Sequence, residues 1–183
     1  MEIATKEQLR WAFARWALVT VPLILLLGFA SSRIAPAGAA NRWYAALAKP
    51  AMTPPDWVFP VAWTTLYVLM GLALAMILNA RGSRLRGVAI LLFVVQLALN
   101  LVWSPLFFGA HQVNAALIVI VAMLVTAAAA AFVFGRIRAV AGLLLVPYLA
   151  WLAFATYLTW QIDALNPNAS TLVPAAPSAQ MSI

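Results

Sequence analysis

The sequence predicts an all-α integral membrane protein: a bundle of five transmembrane helices with a long lid loop between the first two. Three observations carry that prediction. Apolar residues make up 66% of the 183 residues and charged residues only 8%, too little polar surface to cover a water-soluble fold of this length. Four uncharged stretches, Val58 to Asn79, Gly87 to Gly109, Val113 to Phe134 and Val140 to Ile162, are each long enough to cross a hydrocarbon core of ~30 Å at ~1.5 Å per residue. A fifth, Trp16 to Ser32, is shorter but lies between Arg15 and Arg33, whose long side chains can snorkel to the two interfaces.

The first stretch has a rival reading. Basic residues, an apolar run and the small residues "APAGAA" also describe a secretory signal peptide. The run exceeds a usual signal-peptide core, and its retention as the first span is the reading carried forward. Residues 1–163 then form one domain, and 164–183, rich in Pro, Ala, Ser and Asn without periodicity, are expected to be a disordered tail.

The net charge of +7 follows topology and does not form a stripe of the kind that binds nucleic acid. Lys6, Arg10 and Arg15 precede the first span, Arg81, Arg84 and Arg86 join the second to the third, and Arg136 and Arg138 join the fourth to the fifth. The other side holds Arg33, Arg42 and Lys49. This asymmetry predicts a multi-pass protein with a cytoplasmic N-terminus and an external first loop. A bacterial membrane is expected in preference to the mitochondrial outer membrane, with inner and outer bacterial membranes both open.

Links between spans two and three, three and four, and four and five are short, which predicts antiparallel neighbours. The first loop, 33–57, is long and carries Trp43, Tyr44 and Leu47 at spacings that a short helix would place on one side. It reads as a lid. Pro54 and Pro55 end it and Trp57 anchors the start of the second span, so "KPAMTPPDWVFPVAW" reads as a hinge.

Within the spans, Gln96, Asn100, Trp103 and Phe107 fall on one helical face. A buried amide in lipid must find a partner. Interhelical glue is the plain reading of that face, and the aromatic pair continuing it points to a pocket wall. Trp63 and Tyr67 mark a second stripe, and Trp151, Ala155 and Leu158 a third. Each alone is more often packing than binding. Together they suit a large, flat, mostly apolar ligand, stacked on aromatic faces and oriented by amide dipoles. Trp11, Trp16, Trp57 and Trp160 fall near helix ends as interfacial anchors. Ala122, Thr126 and Ala130 repeat at four in the fourth span, where small residues let backbones approach, inside the bundle or against a second copy. Pro22, Pro60, Pro105 and Pro147 lie inside spans and are expected to kink them.

Conventional chemistry is scarce. The chain has no cysteine and one histidine, His111, in the loop after the third span, so no metal site is expected. No catalytic motif or paired carboxylate is present. Proton relays are disfavoured because no ionisable side chain other than tyrosine lies inside a span.

The blocks "WYAALAKPAMTPPDWVFPVAWTTLYVLMG", "LNLVWSPLFFG" and "VPYLAWLAFATYLTW" resemble, in order, those of the TspO/MBR family, the tryptophan-rich sensory proteins and translocator proteins. The resemblance runs from about Trp43 to Trp160. It implies five helices around a cavity covered by the first loop, with porphyrins such as protoporphyrin IX, benzodiazepine-type compounds and, in some members, sterols as ligands. It further implies a homodimer and no required cofactor, porphyrin being a ligand. The pocket residues it implies are Tyr44, Trp63, Tyr67, Asn100, Trp103, Phe107, Trp151, Ala155 and Leu158, to which the amide face adds Gln96. Met52 stands where the family commonly has an aromatic residue. Trp160 and Ala164 replace the tyrosine and basic residue of the animal sterol motif.

Three functions are compatible with these residues. The first is tetrapyrrole binding in sensing or transport. The second is light-dependent porphyrin breakdown, in which Trp63 and Trp151 would be the reactive groups. The third is a scaffold for a membrane complex.

Overall fold

The structure, a computed structural model, describes residues 6–34 and 37–172. Its described residues fold into seven α-helices: α1 (Lys6–Ile34), α2 (Arg42–Ala46), α3 (Val58–Asn79), α4 (Arg86–Ser104), α5 (Val113–Ile137), α6 (Ala139–Leu143) and α7 (Val146–Leu165). Five segments are long and apolar enough to cross a membrane: Arg10–Ile34, Val58–Asn79, Arg86–Gly109, Val113–Ile137 and Ala139–Leu165. The predicted all-α class with five spans is the observed one. α1 begins ahead of Trp16 because hydropathy marks only the hydrocarbon-crossing part, whereas intrahelical hydrogen bonds carry the helix on into the interface.

Two spans are interrupted as α-helices, both near a proline. Pro147 has no N–H for the Leu143 carbonyl, and the fifth span breaks at Leu144 and Leu145 into α6 and α7. In the third span α4 passes at Pro105 into a π-helical turn, Pro105–Gly109. Pro105 leaves the Leu101 carbonyl without its intrahelical donor, and the Ser31 hydroxyl of α1 donates to that carbonyl. A freed backbone group inside the bilayer is thus satisfied by a neighbouring helix.

The spans close into a ring. α1 packs chiefly on α3, α3 touches α6 and α7, α7 packs on α5, α5 on α4, and α4 touches α1. The expectation that short links make neighbours holds for α4 with α5 and for α5 with α6 and α7. α3 and α4 also touch, while α3 packs far more extensively on α1 across the longest connection. Two glycines permit that approach. A Cβ on Gly71 would lie 2.7 Å from the Val21 Cα, and one on Gly28 would overlap the Tyr67 ring. Thr20 directs its hydroxyl to the Gly71 carbonyl at 2.7 Å. With lipid as apolar as the helix surfaces, such close packing and hydrogen bonding drive association.

In α5 the buried face runs through Ala116, Ile120, Met123, Ala127, Ala130 and Phe134. The expected stripe of Ala122, Thr126 and Ala130 is therefore only partly inside: Ala130 is buried, Ala122 is exposed, and Thr126 bonds its own helix at the Ala122 carbonyl. Outward faces carry Leu18, Leu26, Leu91, Ile118, Val125 and Phe132, as a lipid-facing surface requires.

The C-terminal segment differs from the disordered tail expected of it as far as it is described. Residues 166–172 leave α7 and form a 3-10 turn, Ala169–Thr171, with Ala169 buried. The composition is polar and aperiodic, but specific amide hydrogen bonds, given below, hold the segment to the first connection. Residues 173–183 of that predicted tail lie outside the described residues.

The α1–α3 contact yields a prediction. Gly71→Ala places a methyl group against the Val21 backbone and should cost about 1–3 kcal/mol, read as a lower melting temperature of the purified protein in detergent. An unchanged melting temperature would refute the close approach.

Candidate functional site

A cavity of about 400 Å³ opens at the end of the bundle where α1, α4 and α7 finish and α3 and α5 begin. All five spans and the first connection contribute to its wall. Of the ten expected ligand-binding residues, eight line it: Tyr44, Trp63, Tyr67, Asn100, Trp103, Trp151, Ala155 and Leu158. Gln96 and Phe107 stand behind the wall, each for a local reason.

Gln96 lies one turn below Asn100, beyond the cavity floor. There it ends a buried chain of hydrogen bonds. The Tyr67 hydroxyl donates to Asn100 Oδ1 at 3.0 Å, Asn100 Nδ2 donates to the Tyr148 hydroxyl at 3.2 Å, and Tyr148 donates to Gln96 Oε1 at 2.8 Å. The amide face predicted from spacing thus divides between glue at Gln96 and a cavity wall at Asn100. Tyr148, fully buried, is the partner that spacing on a single helix could not name.

Phe107 is displaced by the π turn. Beyond Pro105, Phe108 reaches the cavity while Phe107 turns behind it. Phe107 stacks on Trp103 with centroids 5.0 Å apart and 11° between planes, and it meets Trp43 edge-on at 5.5 Å. The Trp103 indole donates to the Ala116 carbonyl at 3.1 Å, fixing this wall to α5.

Trp63 is the centre of the opposite wall. It stacks on Tyr67 at 5.3 Å and meets Trp151 edge-on at 6.4 Å. Phe59 closes the group, edge-on to Trp151 at 5.8 Å. The Trp151 Nε1 is buried without a hydrogen-bond partner among the described residues. Sequence reasoning missed Phe59, one helical turn before Trp63, and Phe154, three residues after Trp151; extending the two stripes would have found both. Gly28, Phe29, Ser31 and Ser32 from α1, and Ile120 and Met123 from α5, also line the cavity. Nothing in their spacing distinguishes them from packing residues.

The first connection contributes Ala37, Gly38, Tyr44 and Asp56 to the cavity lining. Asn41 caps α2 by accepting from the Tyr44 amide at 3.0 Å, and its Nδ2 donates to the Phe108 carbonyl at 2.9 Å. Trp43 is buried, stacks on His111 at 4.4 Å, and donates from its indole to the Ala169 carbonyl at 2.7 Å. Asn166 brackets Ala48, accepting from its amide and donating to its carbonyl, both at 2.9 Å. Pro54 and Pro55 lie outside any helix, just before a turn into α3, with Trp57 exposed. His111 has a φ of 57°, which lets it turn from the π turn toward Trp43.

The Tyr44 phenol is pushed above its usual value, first by burial and then by the negative charge of Asp56. It therefore stays a neutral donor across physiological pH. Lys49 Nζ sits 4.7 Å from the centre of the Tyr44 ring, close enough for a cation–π contact.

The buried chain supplies a prediction. Tyr148→Phe strands the Asn100 amide and the Gln96 carbonyl oxygen and should cost about 0.5–2 kcal/mol, seen as a lower melting temperature. Tyr148→Phe combined with Gln96→Leu should recover part of that loss. A double variant no more stable than the single one would refute the coupling.

The family model described as TspO/MBR family matches residues 8–165. The chain is 43% identical to the tryptophan-rich protein TspO of Chlorobaculum tepidum over 148 residues, covering 80% of this chain and 93% of that one. It is 42% identical to the tryptophan-rich sensory protein of Cereibacter sphaeroides, covering 70% and 79% of the two chains. With the translocator protein of Sus scrofa it shares 44% identity, over 73% and 79%. A ring of five spans closed over an aromatic cavity, and a match that runs through every span, lead to one conclusion: the chain belongs to the TspO/MBR family.

Proposed function

We propose that this membrane protein binds tetrapyrroles such as protoporphyrin IX, and other flat hydrophobic molecules, in the cavity at the α2 end of the bundle. The observation that carries the reading is the wall itself. Trp63, Tyr67, Trp103, Trp151, Phe59, Phe108 and Phe154 surround a space of about 400 Å³, within the ~300–1,000 Å³ of small-molecule sites. Aromatic faces supply stacking, and the few polar groups, at Tyr44, Asn100 and Asp56, supply orientation. The relatives named as sensory and translocator proteins support a role in sensing or transport. In this reading the first connection acts as a lid and Pro54–Trp57 as its hinge, since it contributes few residues to the cavity lining and is held at its edges by Asn41, Trp43 and Asn166. Sterols and benzodiazepine-type compounds are further ligands of the same cavity, and the protein works as a homodimer.

A second reading is favoured by the contact between Trp63 and Trp151, whose rings are 6.4 Å apart in the same wall. Two indoles against an excited porphyrin are suited to giving up electrons, which would make the protein a light-dependent porphyrin-degrading enzyme.

Titration with protoporphyrin IX in the dark should quench tryptophan fluorescence saturably. Trp151→Ala should weaken that binding by about tenfold, the loss of one aromatic wall contact, and Trp63→Phe by less. Unchanged binding in both variants would refute the pocket assignment. Illumination separates the two readings: a stable porphyrin spectrum leaves sensing or transport, and protein-dependent decay lost in both variants establishes the enzyme.

A further inference from the structure

The bundle has a second concavity at its opposite end, and its chemistry differs from that of the aromatic cavity. It is an open cleft of about 690 Å³ lined mainly by Gln8 and Arg15 of α1, Asn79 at the end of α3, Arg81 and Ser83 of the α3–α4 link, and Arg138 between α5 and α6. Three exposed arginines from three separate chain segments therefore line one depression, together with an asparagine and a serine. No acidic side chain lines it among the described residues.

Charge distribution explains only part of this. The sequence places eight basic residues, Lys6, Arg10, Arg15, Arg81, Arg84, Arg86, Arg136 and Arg138, against Glu2 and Glu7 at this end, and three against two at the other. A bias of basic residues to one side is what membrane topology requires. Topology does not require that arginines far apart in sequence converge on one cleft. An anion bound among arginines that line one cleft would offset the repulsion between their like charges. Arginine is also the side chain whose planar fork matches phosphate oxygens two at a time. The adjoining turn carries a further sign of unmet donors. Arg86, whose backbone amide donates to the Ser83 carbonyl, has a buried Nε without a partner among the described residues.

We infer that this arginine cleft binds a phosphate-bearing anion. The phosphate would be held by Arg15, Arg81 and Arg138, with Ser83 and Asn79 able to bond a polar headgroup or sugar. An anionic phospholipid headgroup and a soluble phosphorylated molecule share this chemistry. The cleft lies at a bundle end, beside a lipid-facing surface that includes Leu143 and Val140, so both sources have access to it.

The test uses the full chain in neutral maltoside micelles and two probes, dihexanoyl phosphatidylglycerol and glycerol phosphate, with dihexanoyl phosphatidylcholine as the zwitterionic control. Binding is followed by native mass spectrometry and thermophoresis. Two triple variants are compared: R15Q/R81Q/R138Q, which empties the cleft of charge, and R10Q/R84Q/R136Q, which removes the same charge from the same end outside it. Phosphatidylglycerol should bind saturably to the unaltered chain, and the cleft variant should bind at least about tenfold more weakly than its charge-matched counterpart. Displacement by glycerol phosphate identifies a soluble phosphate as sufficient; its failure to displace identifies a lipid headgroup. Equal loss in the two triple variants, or saturation by neither phosphate probe, overturns the inference. Should the cleft triple variant unfold on a melting scan, Arg138→Gln alone must still weaken binding about threefold or more, and an undiminished affinity in it counts equally against the site.

Discussion

Asn100 holds three spans together, and the cavity depends on it. Its carboxamide accepts from Tyr67 on α3 and donates to Tyr148 on α7, while its own helix is α4. In hydrocarbon there is no water to take up an unmet amide or phenol. The chain from Tyr67 through Asn100 and Tyr148 to Gln96 therefore fixes the relative depth and rotation of α3, α4 and α7. Above this level the wall is aromatic and a space remains; below it the side chains close into a packed core that includes Phe93 and Phe134.

The hydrocarbon constraint also explains why a break in one helix becomes a contact with another. Pro105 cannot donate to the Leu101 carbonyl, and Ser31 does so from α1. The π turn that follows widens the helix by one residue per turn and turns Phe108 toward the cavity. The same turn presents its carbonyls to the first connection, where Asn41 bonds the Phe108 carbonyl. One proline thus joins α1, the wall of the cavity and the first connection.

The two ends of the bundle are chemically unlike each other, and both follow from where polar groups are affordable in a bilayer. The aromatic end admits apolar surface with a few amides and phenols, none of them charged within the spans. The arginine end lies where guanidinium groups remain in contact with water and lipid phosphates. Between them α1 and α3 approach closely at Gly71.

Composition and hydropathy by themselves determined the class, the number of spans and the charge asymmetry, because lipid imposes one rule on every residue along a span. Helical spacing also reached seven wall residues, since Trp63 with Tyr67, Asn100 with Trp103, and Trp151 with Ala155 and Leu158 keep α-helical periodicity in the structure. Spacing failed where the backbone leaves that periodicity or where the partner is on another helix. Phe107 gave way to Phe108 at a π turn, and Gln96 was claimed by Tyr148. The close packing of α3 on α1 was decided by two glycines and a threonine meeting across helices, and the ordering of residues 166–172 by Asn166 and the Trp43 indole finding backbone groups more than a hundred residues away. Contacts of that kind belong to the tertiary structure alone, because no local pattern records which distant carbonyl will lack a donor.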